Sequence, residues 1–152
     1  MATLLEEFTA LIAELNRREI PYAVCGGWAM AIHGAPRATI DIDLMVESND
    51  LERAWKTAEG LGYNVEGLPL NFHDGAIQIK RISKIESDRK RLITVDFLLV
   101  TERTRQVWAD RKTVTWMKGT ISTVSREGLI ELKELSGRPQ DLVDIQRLQD
   151  ES

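Results

Sequence analysis

The stretch that most limits what this chain can fold into is Val24-Cys25-Gly26-Gly27, thirteen intervening residues, and Asp41-Ile42-Asp43-Leu44. An apolar run enters a Gly-Gly turn, and a second apolar run carries two carboxylates two positions apart. Alternation along a strand puts Asp41 and Asp43 on one face and Ile42 and Leu44 on the other. Two carboxylates about 6–7 Å apart along a strand can reach around one cation. Mg²⁺ takes such oxygen ligands together with phosphates. Gly26 and Gly27 let bare backbone N–H groups approach a phosphate at the N-terminus of a helix starting near Trp28.

Composition narrows the class further. At 152 residues, 43% apolar and 29% charged, the chain reads as one ordinary globular domain, residues 1–152, with enough length for a real core. No apolar run approaches the roughly 20 residues that span a bilayer, and the start carries acids where a secretory signal carries positive charge. The single cysteine, Cys25, excludes an internal disulfide and a cysteine-rich zinc site. Cytoplasmic location without a membrane partner is the expectation, with Cys25 a buried small hydrophobe.

The net charge of −4 is unevenly spread. Residues 1–75 hold five Lys/Arg against twelve Asp/Glu, whereas residues 76–126 hold twelve against five. A basic middle third suits a polyphosphate or a nucleic acid. The alternative is a solvated hairpin with basic residues on its outer face.

Periodicity and caps predict a helix over 3–18, with Thr3 and Glu6 as a capping box and Pro21 ending it. Strands follow at 22–25 and 39–46, helices at 28–33 and 49–60, and a strand pair at 76–84 and 92–100 around Glu86-Ser87-Asp88-Arg89. Residues 102–110 read as helix and 112–124 as a strand pair about Lys118-Gly119. Helices at 126–135 and from Pro139 close the chain. The order predicts an α/β fold of the α+β kind: a mixed central sheet packed by helices on one side, with a short C-terminal helical tail.

At these residues the sequence resembles the nucleotidyltransferase superfamily of the DNA polymerase β type, whose signature is apolar-Gly-Gly/Ser, a gap of nine to thirteen, and Asp-x-Asp/Glu between apolar residues. The resemblance implies a third acid on a later strand. Asp96, a lone carboxylate in Leu92–Val100, is the candidate, costly to bury unless a cation or donor meets it. Arg37 and Thr39 match the family's Gly-x-x-Arg-x-Thr-x-Asp-x-Asp run. Arg37 is expected to pair with the motif carboxylates or grip a phosphate, and Thr39 to tie the turn. Lys133, Arg138, Asp141 and Asp144 resemble the Lys-x4-Arg-x-x-Asp-x-x-Asp segment of small bacterial members, including the toxin-like AbiEii group. Lys133 is read as a triphosphate contact. Asp141 and Asp144 either brace Lys133 and Arg138 or cap the helix.

The resemblance thus implies Asp41, Asp43 and Asp96 as catalytic and metal-ligating, with Gly26, Gly27, Trp28, Arg37, Lys133, Arg138 and Asp141 around the nucleotide. The implied reaction is Mg²⁺-dependent transfer (Mn²⁺ the alternative ion) of an NMP from an NTP to a hydroxyl. The basic middle segment favours an RNA acceptor, a tRNA end in a toxin-like enzyme with an antitoxin partner. The runner-up is an antibiotic acceptor, since Gly-Gly-Trp and the small size also look like lincosamide and aminoglycoside nucleotidyltransferases. A non-catalytic nucleotide-binding module is the third reading.

Overall fold

The computed structural model describes residues 3–39, 41–86, 91–117 and 119–150. Among them are six α-helices and eight strands in one mixed sheet. Helix α1 (Leu4–Arg17) is set by its first turn. The Glu6 amide donates to the Thr3 hydroxyl at 3.1 Å, and the Thr3 amide donates to the Glu6 carboxylate at 3.2 Å. Phe8, Leu11, Ile12 and Leu15 fall on one stripe and are buried against the sheet.

Strand β1 (Ala23–Cys25) runs directly into helix α2 (Gly26–Ile32), and β2 (Ile42–Val46) returns antiparallel beside β1. Helix α3 (Leu51–Gly60) leads to β3 (Val65–Glu66), β4 (Leu70–Phe72), β5 (Ile77–Glu86) and β6 (Arg91–Leu99). Helix α4 (Arg105–Ala109), β7 (Lys112–Trp116), β8 (Gly119–Thr123), α5 (Arg126–Ser136) and α6 (Pro139–Asp150) complete the chain. The strand order is β3-β5-β6-β2-β1-β8-β7, with β4 also on β5. The pairs β2–β6 and β1–β8 are parallel and the others antiparallel.

Alternation sorts the two central strands. Ile42, Leu44 and Val46 of β2 and Ile93, Val95 and Phe97 of β6 share one face and are fully buried. Each such side chain contributes about 1.5–3 kcal/mol by leaving water. The Phe97 ring meets Trp55 of α3 at 6.3 Å. Asp43 and Asp96 therefore fall on the opposite face, by the same alternation.

The structure departs from expectation in three places. β2 begins at Ile42, so Asp41 lies just before the strand rather than inside it. β3 and β4 were not foreseen, because two- and three-residue strands flanking Gly67-Leu68-Pro69 carry no readable alternation. They form only by pairing with the edge of β5. Helix α2 begins at Gly26, two residues before Trp28. Ser87, Asp88 and Arg89 of the expected β5–β6 turn lie outside the described residues, as do Ile40 and Lys118.

Candidate active site

Strand register builds the site. Arg81 of β5 faces Asp96 of β6, Asp96 faces Asp43 of β2, and Asp43 faces Cys25 of β1. One row across four strands thus carries a cation, two acids and a thiol, with neighbouring strands about 4.8 Å apart. Asp41 precedes Asp43 by two and joins them on the wall of a cleft of about 620 Å³. Gly27, Arg37, Thr39 and Arg138 line it as well.

The two glycines serve close approach. A Cβ on Gly26 would stand 2.1 Å from Asp43 Oδ2, and the Gly26 φ of +64° disfavours any L side chain. A Cβ on Gly27 would stand 2.5 Å from Thr39 Oγ1. The Thr39 hydroxyl in turn donates to the Asp41 carbonyl at 3.2 Å, fixing the turn into β2. Gly-Gly therefore lets the Asp43 side chain and the Thr39 turn lie directly against the start of α2.

Charge in the row is unbalanced. Among the described residues, no donor hydrogen-bonds the carboxylate of Asp41 or Asp43. Burial, then the Asp96 and Asp41 charges, push Asp43 up to about 7, against the opposing pull of Lys133 and Arg138. Burial and Asp96 also raise Asp41, while Arg81 lowers it. Asp96 is different, since the Arg81 guanidinium grips it through Nε–Oδ1 at 2.7 Å and Nη2–Oδ2 at 2.9 Å. That fork holds the Arg81 pKa above its usual value. The Cys25 thiol is pushed well up by burial and by Asp43, so it stays a protonated wall atom.

The donor set suits a hard cation: three carboxylates on one wall, two of them without a hydrogen-bond donor. It is not a finished cage. Among the described residues no three acidic, histidine or cysteine side chains stand close enough to hold a metal as folded.

A second charge cluster sits beside the row under α5 and α6. Lys133, only 5% exposed, donates to Asp144 Oδ2 at 2.8 Å and lies 3.6 Å from Asp141 Oδ1. Asp144 also accepts from Arg37 Nε at 3.0 Å and from Gln140 Nε2 at 2.9 Å. Asp141 accepts from Arg138 Nε at 2.9 Å and from the Arg138 amide at 3.1 Å. Burial works against both acids, yet these donors bring both below the usual carboxylate value. Arg138 itself reaches the cleft, its side chain 71% exposed.

Solved structures share this arrangement of strands and helices. The lincosamide antibiotic adenylyltransferase LnuA, lincomycin-bound, matches with a TM-score of 0.60 at 14% identity, over 96% of this chain and 96% of that one. ANT(2")-Ia in complex with adenylyl-2"-tobramycin matches at 0.64 and 15%, over 93% and 84%. A Thermotoga maritima structure assigned to the nucleotidyltransferases matches at 0.63 and 14%, over 97% and 93%. The chain has the nucleotidyltransferase fold. Comparison with protein-family models finds no match, and comparison with curated sequences finds none either.

Within the nucleotidyltransferase fold, two sequence expectations land elsewhere. Trp28 does not line the cleft. It stacks on Phe8 with centroids 4.2 Å apart and the planes 2° from parallel, and meets Trp116 edge-on at 6.4 Å. One face of the short α2 must pack on α1, and Trp28 is on that face. Arg37 lines the cleft, but its fork reaches Asp144 and not the motif carboxylates.

Among the described residues, several cations of the basic middle segment are engaged within the protein. Arg81 pairs with Asp96, Lys84 with Glu7, Arg91 with Glu86 and Arg105 with Glu47. Arg126 donates to the carbonyls of Leu148 and His33. Two of the acid partners, Glu7 and Glu47, come from the acidic first half of the chain, and two, Asp96 and Glu86, from the segment itself.

Sequence reasoning also missed Arg81 and the apolar wall next to it. On β5, Ile77 and Ile79 alternate onto the face of Arg81, and their β4 partners are Phe72 and Leu70. All four line the cleft beside the acids. The readable signal was Ile77-x-Ile79-x-Arg81, continued by hairpin pairing to Asp96. Among the described residues no helix is long and apolar enough to cross a membrane.

Proposed function

We propose that the protein is a nucleotidyltransferase moving an NMP from an NTP onto a hydroxyl of a small-molecule acceptor. The observation that carries this reading is the register row Arg81–Asp96–Asp43, with Asp41 on the same wall of one cleft. Two carboxylates facing each other on parallel strands, one of them raised to about 7 by burial and its acidic neighbours, are poor for stability and well suited to a cation. Asp43, Asp96 and Asp41 would hold Mg²⁺, which when bound supplies charge neutralisation and orientation at the α-phosphate.

The chain's own groups divide the cleft. Lys133 and Arg138 act on Asp43, so the β- and γ-phosphates belong on that side, beside Gly26 and Gly27. In-line displacement puts the acceptor opposite the leaving group. That is the Asp96 side, where β5 and β4 supply Leu70, Phe72, Ile77 and Ile79. The acceptor oxygen bonds to the α-phosphorus as the bond to the bridging oxygen breaks, and pyrophosphate leaves. Asp96 takes the hydroxyl proton.

An apolar wall with a 47% exposed Phe72 suits a compact acceptor with an apolar face. Four of the twelve cations of the basic segment sit in ion pairs within the protein, which lowers the charge available to an RNA acceptor. The structural neighbours include enzymes described with lincomycin and with an adenylylated tobramycin, which makes aminoglycosides and lincosamides the first acceptors to try. Purified protein is incubated with α-labelled NTPs, Mg²⁺, and either such a panel or total RNA. Label is expected in a small molecule. Label only in RNA overturns the acceptor, and no label anywhere overturns the enzyme.

A further inference from the structure

Arg81 takes up both oxygens of Asp96. It stands on the neighbouring antiparallel strand in direct register with that acid, so the pairing is built into the sheet. Its side chain is 39% exposed against 7% for Asp96. The acid is therefore fixed while the guanidinium has open cleft to move into. Among the described residues, Asp43, directly across on the other side, has no donor, and the three acids do not form a cage as folded.

We infer that Arg81 guards Asp96: it holds the acid in an ion pair that excludes a divalent cation, and gives it up only when a polyanion enters the cleft to take the guanidinium. This rests on the nucleotidyltransferase reading only for the identity of the polyanion, a nucleotide whose α-phosphate reaches the Asp96 side. The physical grounds are those of competition. A charge-assisted fork satisfies both Asp96 oxygens, so a cation binding there must break it and sit beside a positive charge. The α-phosphate, which lies between the two sides of the cleft, repays that loss with new contacts to Arg81. Metal and nucleotide should then each raise the other's affinity by the same factor. The guard also spares Asp96 the cost of an uncompensated buried charge before substrate arrives.

The test reads Mn²⁺ binding to the nucleotide-free protein, by loss of the free-ion electron paramagnetic resonance signal. Arg81→Gln is expected to bind Mn²⁺ about 10- to 100-fold more tightly than the wild type, the range a charged hydrogen bond corresponds to. Arg81→Lys should fall between, because one ammonium cannot cover both oxygens. In an Asp96→Asn background, Arg81→Gln should change nothing.

Melting curves establish that each variant is folded, and Arg81→Lys serves should the glutamine variant fail to fold. Equal or weaker Mn²⁺ binding in a folded Arg81 variant overturns the guard. So does a gain that persists without Asp96. If nucleotide transfer is never found but the ranking holds, the proposed function falls and the guard stands. If transfer is found and the ranking fails, only the guard falls.

Discussion

Two charged regions lie side by side in this molecule and obey opposite rules. At the row on β2 and β6, Asp43 and the preceding Asp41 have no hydrogen-bond donor among the described residues and are raised, Asp43 to about 7. Under α5 and α6, Asp141 and Asp144 are buried more completely, yet each has cations around it and both are lowered. Burial raises every one of them and is the first cause at Asp43, where neighbouring acids add to it. At Asp141 and Asp144 hydrogen-bonding donors outweigh it. Asp141 and Asp144 find their partners inside the protein, whereas the proposed function brings the partner of Asp41 and Asp43 from outside, as a cation.

The comparison breaks most visibly if Asp144 is removed. Asp144→Ala leaves Lys133 and Arg37 without their shared carboxylate, and a loss of about 3–5 kcal/mol is expected for a buried pair broken on one side. Chemical denaturation would show it as a lower midpoint with an unchanged slope. A midpoint within error of the wild type would mean the network is not scaffold.

The pH dependence of stability, measured without divalent ions, separates the regions next. With a folded value near 7 against an ordinary 3.8, Asp43 binds its proton in the folded state first. Stability should therefore rise as pH falls from about 8 towards 5. Asp141 and Asp144 have lowered folded values, so their contribution is present above the ordinary 3.8 and is lost only as pH falls through their folded values. Asp43→Asn should erase the rise near neutrality and leave the acid-side loss untouched. A rise that survives this substitution would assign it to another group.

A smaller effect tests the close approach at β1. Gly26→Ala must move the Asp43 carboxylate and hold a side chain at φ +64°, a backbone cost of about 1–2 kcal/mol. Label transfer should fall more than stability does, and the reverse order would make Gly26 a purely conformational residue. Smallest of all is the expected effect of Trp28→Phe on nucleotide affinity. The indole stacks on Phe8, so the melting temperature should drop while the NTP KM stays within about twofold, since a remote packing change adds no contact to the ligand. A large KM change would return Trp28 to the cleft.

The same contrast marks what could be read from the chain beforehand. Alternation and caps are local, and they located α1 with its Thr3–Glu6 box, the faces of β2, and Asp96 in an apolar strand. Partners are not local. Arg81 is 15 residues from Asp96, and only the β5–β6 register makes them neighbours. The Arg37–Asp144 pair spans 107 residues. Two of the pairings in the basic segment likewise join distant acids to it, Lys84 to Glu7 and Arg105 to Glu47. Trp28 was misplaced because a short helix beside a cleft has two faces, and spacing alone did not say which one α1 covers.

The central claim is that the β2–β6 acids are held for chemistry and not for the fold. It is tested most directly by measuring label transfer and melting temperature together on Asp43→Asn and Asp96→Asn. Transfer should fall about a thousandfold or more, the several kcal/mol that a bound metal supplies. Asp43→Asn should melt at or above the wild-type temperature without metal, because a like charge has been removed. Full activity in either variant, or an Asp43→Asn protein that no longer folds, would contradict the account.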